Sequence, residues 1–149
     1  MVTDHVKGYQ HVGIPAENIE ETRKFYTSLG FKAKYETVNN EKPVVFYELG
    51  DILIETYERK EGVTKVTGAV DHIALNAEDI VSIYEELKKG GYDIAEGPCH
   101  LPFWNHGVVY VVINGPNRER VEFIQQFKSE EEKDNALKAL GIPEKAPEA

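Results

Sequence analysis

Histidine and glutamate invite a chemical reading of this 149-residue chain because they recur in a pattern: His11 is followed by Glu55, and His72 by Glu122. Two imidazoles and two carboxylates, with no thiolate among them, suit one borderline to hard divalent ion such as Ni, Co, Mn or Zn. The carboxylates offset the charge of such an ion. An octahedral ion held by this set keeps positions open for water or for substrate. Two adjacent oxygens of a small molecule would fill them, and an ion that chelates such a molecule acts as a Lewis acid toward the neighbouring C–H bond.

The pattern rests on a duplication. QHVGIPAENI from Gln10 aligns with DHIALNAEDI from Asp71 at a constant offset of 61 positions, placing His11 on His72, Ala16 on Ala77, Glu17 on Glu78 and Ile19 on Ile80. The offset continues through a helix in each half, with Asn18 facing Asp79 as caps and Gly30-Phe31 facing Gly91-Tyr92 at the ends. Further on, VVFYEL from Val44 answers VVYVVI from Val108, and LIE ending at Glu55 answers RVE ending at Glu122. The second half is longer in two loops.

To position the four side chains, each half must supply a strand, a helix and three further strands. Ile19, Thr22, Tyr26 and Leu29 fall on one helical stripe, as do Ile80, Ile83, Tyr84 and Leu87. Asn18 followed by Glu21 has the form of a capping box, and glycines at 30 and at 90–91 stop the helices. Short segments rich in Val, Ile and Tyr supply the strands, so the fold class is α+β rather than a doubly wound sheet. Side chains alternate between the two faces of a strand. On that count each candidate ligand faces away from bulky apolar neighbours: His11 from Val12 and Ile14, His72 from Ile73 and Leu75, Glu55 from Ile52 and Ile54, Glu122 from Val121 and Phe123. The apolar face packs beneath the helix, and the ligand face lines a concave surface. The expected organisation is an arm at 1–6, a domain at 7–127 made of modules 7–58 and 67–127, and a charged helix stopped near Gly141 and Pro143, then a tail, at 128–149.

At these residues the chain resembles the glyoxalase family of the vicinal oxygen chelate superfamily. The resemblance spans roughly positions 7 to 127 and is carried by HVGI at His11, FYTSLGF from Phe25, ELGDILIE ending at Glu55, DHIAL around His72 and GPNRERVEF around Glu122. It implies two βαβββ modules forming a cupped eight-stranded mixed sheet around a metal. It further implies that His11, Glu55, His72 and Glu122 hold that metal and that Glu122 also serves as the base, with Glu55 the symmetric alternative. The implied activity is that of a metal-dependent lyase or isomerase like lactoylglutathione lyase, which chelates an α-hydroxycarbonyl-type substrate and moves a proton through an enediolate. Methylmalonyl-CoA epimerases are similar over the same stretch, so a CoA-thioester epimerase is the alternative. An extradiol dioxygenase, which uses two histidines and one carboxylate, is disfavoured by Glu55. A metal-free antibiotic-binding protein would have no use for four ligands.

Other residues bear on what is bound. GPCHLPFWNHG, Gly97 to Gly107, is read as a loop in which Phe103 and Trp104 wall a substrate pocket and His100 or His106 touches a polar group. The competing reading is an aromatic plug or a dimer contact. Glyoxalase I has an Arg four residues after its first ligand and an Asn four residues after its first Glu ligand, and these help hold glutathione; here Pro15 and Arg59 stand in those places. Arg59 remains a substrate-binding candidate, and a carrier other than glutathione is expected. Glu48 is a possible second acid or base, and His5 is read as a surface residue of the arm.

Composition bounds the partners. A net charge of −9 disfavours nucleic acid and anionic membrane surfaces. The single cysteine, Cys99, makes no internal disulfide, and no apolar run has the length of a signal or spanning segment. A cytoplasmic homodimer acting on a small molecule is the expectation, with the four ligands drawn from one chain or exchanged between two.

Overall fold

The computed structural model describes residues 2–5, 8–59, 61–66, 68 and 70–143. The outer part of the expected tail, 144–149, and parts of the expected arm, residues 1 and 6, lie outside that set. The chain folds as two compact units, Met1–Lys65 and Val66–Ala149.

In the first unit a 3₁₀ turn at Val2–His5 precedes β1 (Val12–Ala16), α1 (Ile19–Ser28), β2 (Lys32–Asn39), β3 (Lys42–Leu49) and β4 (Ile52–Glu58). The sheet order is β1-β4-β3-β2, with β1 parallel to β4 and the other pairs antiparallel. The second unit repeats this with β5 (Ile73–Asn76), α2 (Ile80–Lys89), β6 (Ile94–Leu101), β7 (Val108–Asn114) and β8 (Arg120–Gln126), in the order β5-β8-β7-β6. It then adds α3 (Glu130–Leu140), which packs on α2. The architecture is α+β, with two βαβββ modules whose strands pair as two sheets of four.

The helices form where caps and apolar spacing agree. Asn18 Oδ1 accepts from the amides of Glu20 and Glu21 at 2.9 and 3.1 Å, and Asp79 Oδ1 accepts from Ser82 N at 3.0 Å. Each bond satisfies an amide that the first helical turn leaves without an internal partner. Gly30 and Gly91, at φ 94° and 69°, turn the chain out of α1 and α2 through a conformation that costs other residues more. Ile19, Thr22 and Tyr26 are buried against the sheet, where Tyr26 stacks on Tyr47 with centroids 5.4 Å apart. In the second unit α2, with Ile80 and Leu87 buried, packs on β7, where Val109, Val111 and Ile113 are fully buried. Each such aliphatic side chain contributes about 1.5–3 kcal/mol of burial.

Three local expectations are corrected. His11 and His72 do not sit within strands; each lies one residue before its strand, β1 or β5. Gly97 to Leu101, read as loop, extends β6, which pairs Cys99 with Tyr110 and absorbs register shifts on either side of Glu96. The bulges let a Gly-Pro step lie inside a strand. Finally, Glu55 pairs with Phe46 and Glu122 with Val112, so VVYVVI from Val108 lies two residues out of step with VVFYEL. A two-residue slip keeps every side chain on its face, which is why alternation alone did not reveal it.

Candidate functional site

Each unit brings one histidine to one glutamate by the same construction. Parallel pairing sets Gly13 opposite Glu55 in the first unit and Ala74 opposite Glu122 in the second. His11 and His72 stand two residues before those partners and hence on the same face. His11 Nε2 lies 3.2 Å from Glu55 Oε2, and His72 Nε2 lies 3.0 Å from Glu122 Oε2. A side chain at Gly13 would crowd this arrangement, since a Cβ there would come within 3.3 Å of Glu55 Oε2. Phe46 meets the His11 ring edge-on at 5.6 Å.

The other ring nitrogen is held as well. Nδ1 of His72 lies 2.8 Å from Asp71 Oδ1, and Nδ1 of His11 contacts Gln10 Oε1. Both partners are the preceding residue and are related by the repeat. An oxygen of this kind only accepts, so Nδ1 carries the hydrogen and donates it. The Nε2 lone pair then points at a carboxylate, another acceptor, and two acceptors at this separation call for a cation between or beside them. A second proton on the ring or a metal ion meets that need, and a carboxylate or carbonyl behind a histidine is a common arrangement at metal sites.

The second unit elaborates this support. Asp71 lies 3.6 Å from Arg120 Nε, Arg120 Nη2 donates to Glu96 Oε2 at 2.8 Å, and Glu96 Oε1 accepts from the Tyr110 hydroxyl at 2.6 Å. The hydrogen bond from His72 holds the Asp71 carboxyl below its usual range. The Tyr110 hydroxyl holds Glu96 low, assisted by Arg120, and the same bond raises Tyr110. The first unit has a neutral amide at the Asp71 position, so the halves match in geometry and differ in charge.

A second duplicated device fixes the glutamate strands. Glu58, three residues after Glu55, accepts from Ile19 N at 3.1 Å; Gln125, three after Glu122, accepts from Ile80 N at 2.9 Å. Each ties the first amide of a helix to the strand that carries the carboxylate. Gln125 also donates to Glu132 of α3 at 2.9 Å. Neither this clamp nor the Gln10 and Asp71 supports were singled out from sequence. The signal was present as polar residues at repeat-related positions beside each candidate ligand.

The remaining candidates are exposed or engaged with other partners. Phe103 and Trp104 are 54% and 73% exposed, so neither plugs a core. His106 Nδ1 lies 3.0 Å from Glu130 Oε1 and ties the loop after β6 to α3. His100 packs over Gly107, where a Cβ would come within 2.6 Å of its Nε2. Arg59 is exposed just beyond β4, with its amide donating to Ala16 O at 3.1 Å. Glu48 on β3 is paired at 2.6 Å with Lys34 of the edge strand β2. Among the described residues no group of three or more His, Cys, Asp or Glu side chains is gathered as a metal centre.

Residues 8–123 match the Glyoxalase/Bleomycin resistance protein/Dioxygenase superfamily. The chain belongs to this superfamily. Solved structures of similar fold include a glyoxalase family protein from Enterococcus faecalis, at 22% identity and TM-score 0.69, covering 80% of this chain and 98% of that one. The fosfomycin resistance protein FosX from Listeria monocytogenes, complexed with Mn(II) and sulfate, is similar at 14% identity and TM-score 0.64, covering 86% and 98%. FosX from Mesorhizobium loti is similar at 15% identity and TM-score 0.63, covering 85% and 97%. None of the curated proteins matches this sequence. At these identities the structures speak for the fold alone. Among the described residues no helix is long and apolar enough to cross a membrane.

Proposed function

We propose that the protein is a metal-dependent lyase or isomerase of glyoxalase I type, acting on a small substrate with two adjacent oxygens and moving a proton at the carbon beside them. The observation that carries this reading is the acceptor-to-acceptor pairing of His Nε2 with Glu Oε2, at 3.2 Å and 3.0 Å, built twice in the same register. The donor set of His11, Glu55, His72 and Glu122 fits a divalent ion such as Ni, Co, Mn or Zn. The Mn(II) complex of FosX from Listeria monocytogenes, a member of the same superfamily, supports that choice. When bound, the ion would supply the positive charge that polarises a substrate oxygen.

The chain's own residues do the rest. Gln10 and Asp71 keep the ring hydrogens on Nδ1, so both Nε2 atoms stay available. Glu122, 8% exposed and flanked by buried strand, takes the proton from the substrate carbon and returns it to the neighbouring position, with Glu55 as its symmetric counterpart. Pro15 and Arg59, at the places that serve glutathione in glyoxalase I, support a different carrier group. The four ligands come together within one chain or in a homodimer of exchanged modules.

The test reconstitutes metal-free protein with each of the four ions. It follows exchange of solvent deuterium into hemithioacetals formed with and without glutathione, and into a methyl-branched malonyl thioester. Metal-dependent exchange is expected, with Glu122→Gln lowering turnover about 100-fold or more and leaving a chelating inhibitor bound. Loss of inhibitor binding in step with turnover would make Glu122 a ligand only, and a turnover loss with inhibitor binding kept, found in Glu55→Gln and not in Glu122→Gln, would move the base to Glu55. One ion bound per full set, abolished by either His11→Ala or His72→Ala, supports a shared centre; two independent ions per chain would end the reading.

A further inference from the structure

On the sheet face that carries Glu55, a cleft of about 460 Å3 opens between the β2–β3 turn and the end of β4, lined among others by Asn39, Asn40, Lys42, Tyr57, Glu55 and Glu58. Lys42 is on the Glu55 face by register: Phe46 pairs with Glu55, Val44 with Tyr57, and position 42 follows in the same alternation. Its side chain is half-buried rather than free in water. Both carboxylates of the cleft are committed, Glu55 to His11 at 3.2 Å and Glu58 to the amide of Ile19 at 3.1 Å. The side chains of Asn39, Asn40 and Lys42, in contrast, make no hydrogen bond or ion pair with a described residue. A cation and two amides thus line one cavity with their donors unspent among the described residues, in a protein whose net charge is −9. The second unit has no lysine at the matching position. Counting back from Val112, the partner of Glu122, the position matching Lys42 is Val108, which is fully buried.

We infer that this cleft takes the anionic far end of the substrate, a carboxylate or a phosphate, with Lys42 as its charge partner and the amides of Asn39 and Asn40 donating to its oxygens. The inference rests on the functional reading above and adds to it the class of the carrier group. Position 42 is four strand steps from Phe46, so the anion sits on the order of 10 Å from Glu55. The substrate therefore has an arm of several bonds between its chelating oxygens and its acid. Charge-assisted hydrogen bonds of this kind favour an anionic end over a neutral one by about tenfold or more.

Binding to metal-loaded protein, followed by calorimetry, tests this with three hydroxamates of equal chain length: octanohydroxamate, the monohydroxamate of suberic acid, and an alkyl hydroxamate ending in phosphate. The expected result is a preference of about tenfold for one or both anionic probes over the methyl-ended one, which also tells carboxylate from phosphate. Lys42→Gln should erase the preference while leaving octanohydroxamate affinity and the melting temperature unchanged, and Lys128→Gln, a control on general charge, should retain it. Equal binding of all three probes by the wild type, or a preference that survives Lys42→Gln or disappears in Lys128→Gln, overturns the inference and leaves the metal reading standing. Failure of all three to bind overturns both.

Discussion

The pairing of Asp71 with His72 shows how much one side chain decides. A ring nitrogen facing a carboxylate is forced to carry the hydrogen, and the opposite nitrogen is thereby reserved for a cation. Asp71→Leu removes the acceptor and frees the ring to change tautomer. We expect metal affinity, read by competition with a chromogenic chelator, to fall about 10- to 100-fold, with Asp71→Asn intermediate because an amide oxygen still accepts. No change in either variant would show that the carboxylate is a surface partner of Arg120 and nothing more. The four candidate ligands were legible in the sequence because identical types recur at repeat-related positions. Their supports were not, since Gln10 and Asp71 differ in type and only the common acceptor chemistry unites them.

Among elements, register carries the information. β1 and β5 are short, yet parallel pairing to β4 and β8 is enough to set each histidine opposite its glutamate. Helix existence was legible because Asn18, Asp79 and the glycines at 30 and 91 punctuate strong apolar stripes. The extent of β6 was not, since Gly97 and Pro98 speak locally for a turn and only pairing with β7 overrides them. The tie between β8 and α2 also depends on a long-range contact that no local pattern reports. Replacing Gln125 by Leu leaves the amide of Ile80 buried without its acceptor and should cost about 1–3 kcal/mol in urea unfolding. Gln125→Glu keeps an oxygen toward Ile80 and should recover part of that loss. Equal behaviour of the two variants would rule out the hydrogen bond as the cause.

At the scale of the whole molecule, paired and hydrogen-bonded carboxyls make the fold sensitive to acid. Arg23 holds Glu36 low, Ser82 holds Asp79 low, Tyr110 and then Arg120 hold Glu96 low, and Lys133 followed by His106 holds Glu130 low. These carboxyls titrate below 4.5 for Glu and 3.8 for Asp in the folded chain. The unfolded chain therefore takes up protons first as pH falls, and the stability they contribute is complete above that range and lost below it. The melting temperature should hold near neutrality and decline from about pH 4.5 downward; a flat profile to pH 3 would contradict this.

Trp104 carries a practical consequence. It is the single tryptophan of the chain, and its indole is already 73% exposed in the folded state. Intrinsic fluorescence excited at the indole band will hardly distinguish native from denatured protein, and tyrosine signals or circular dichroism must follow unfolding instead. The same emission becomes a clean local reporter, dark to events in the cores and responsive to whatever settles on the tip of that loop.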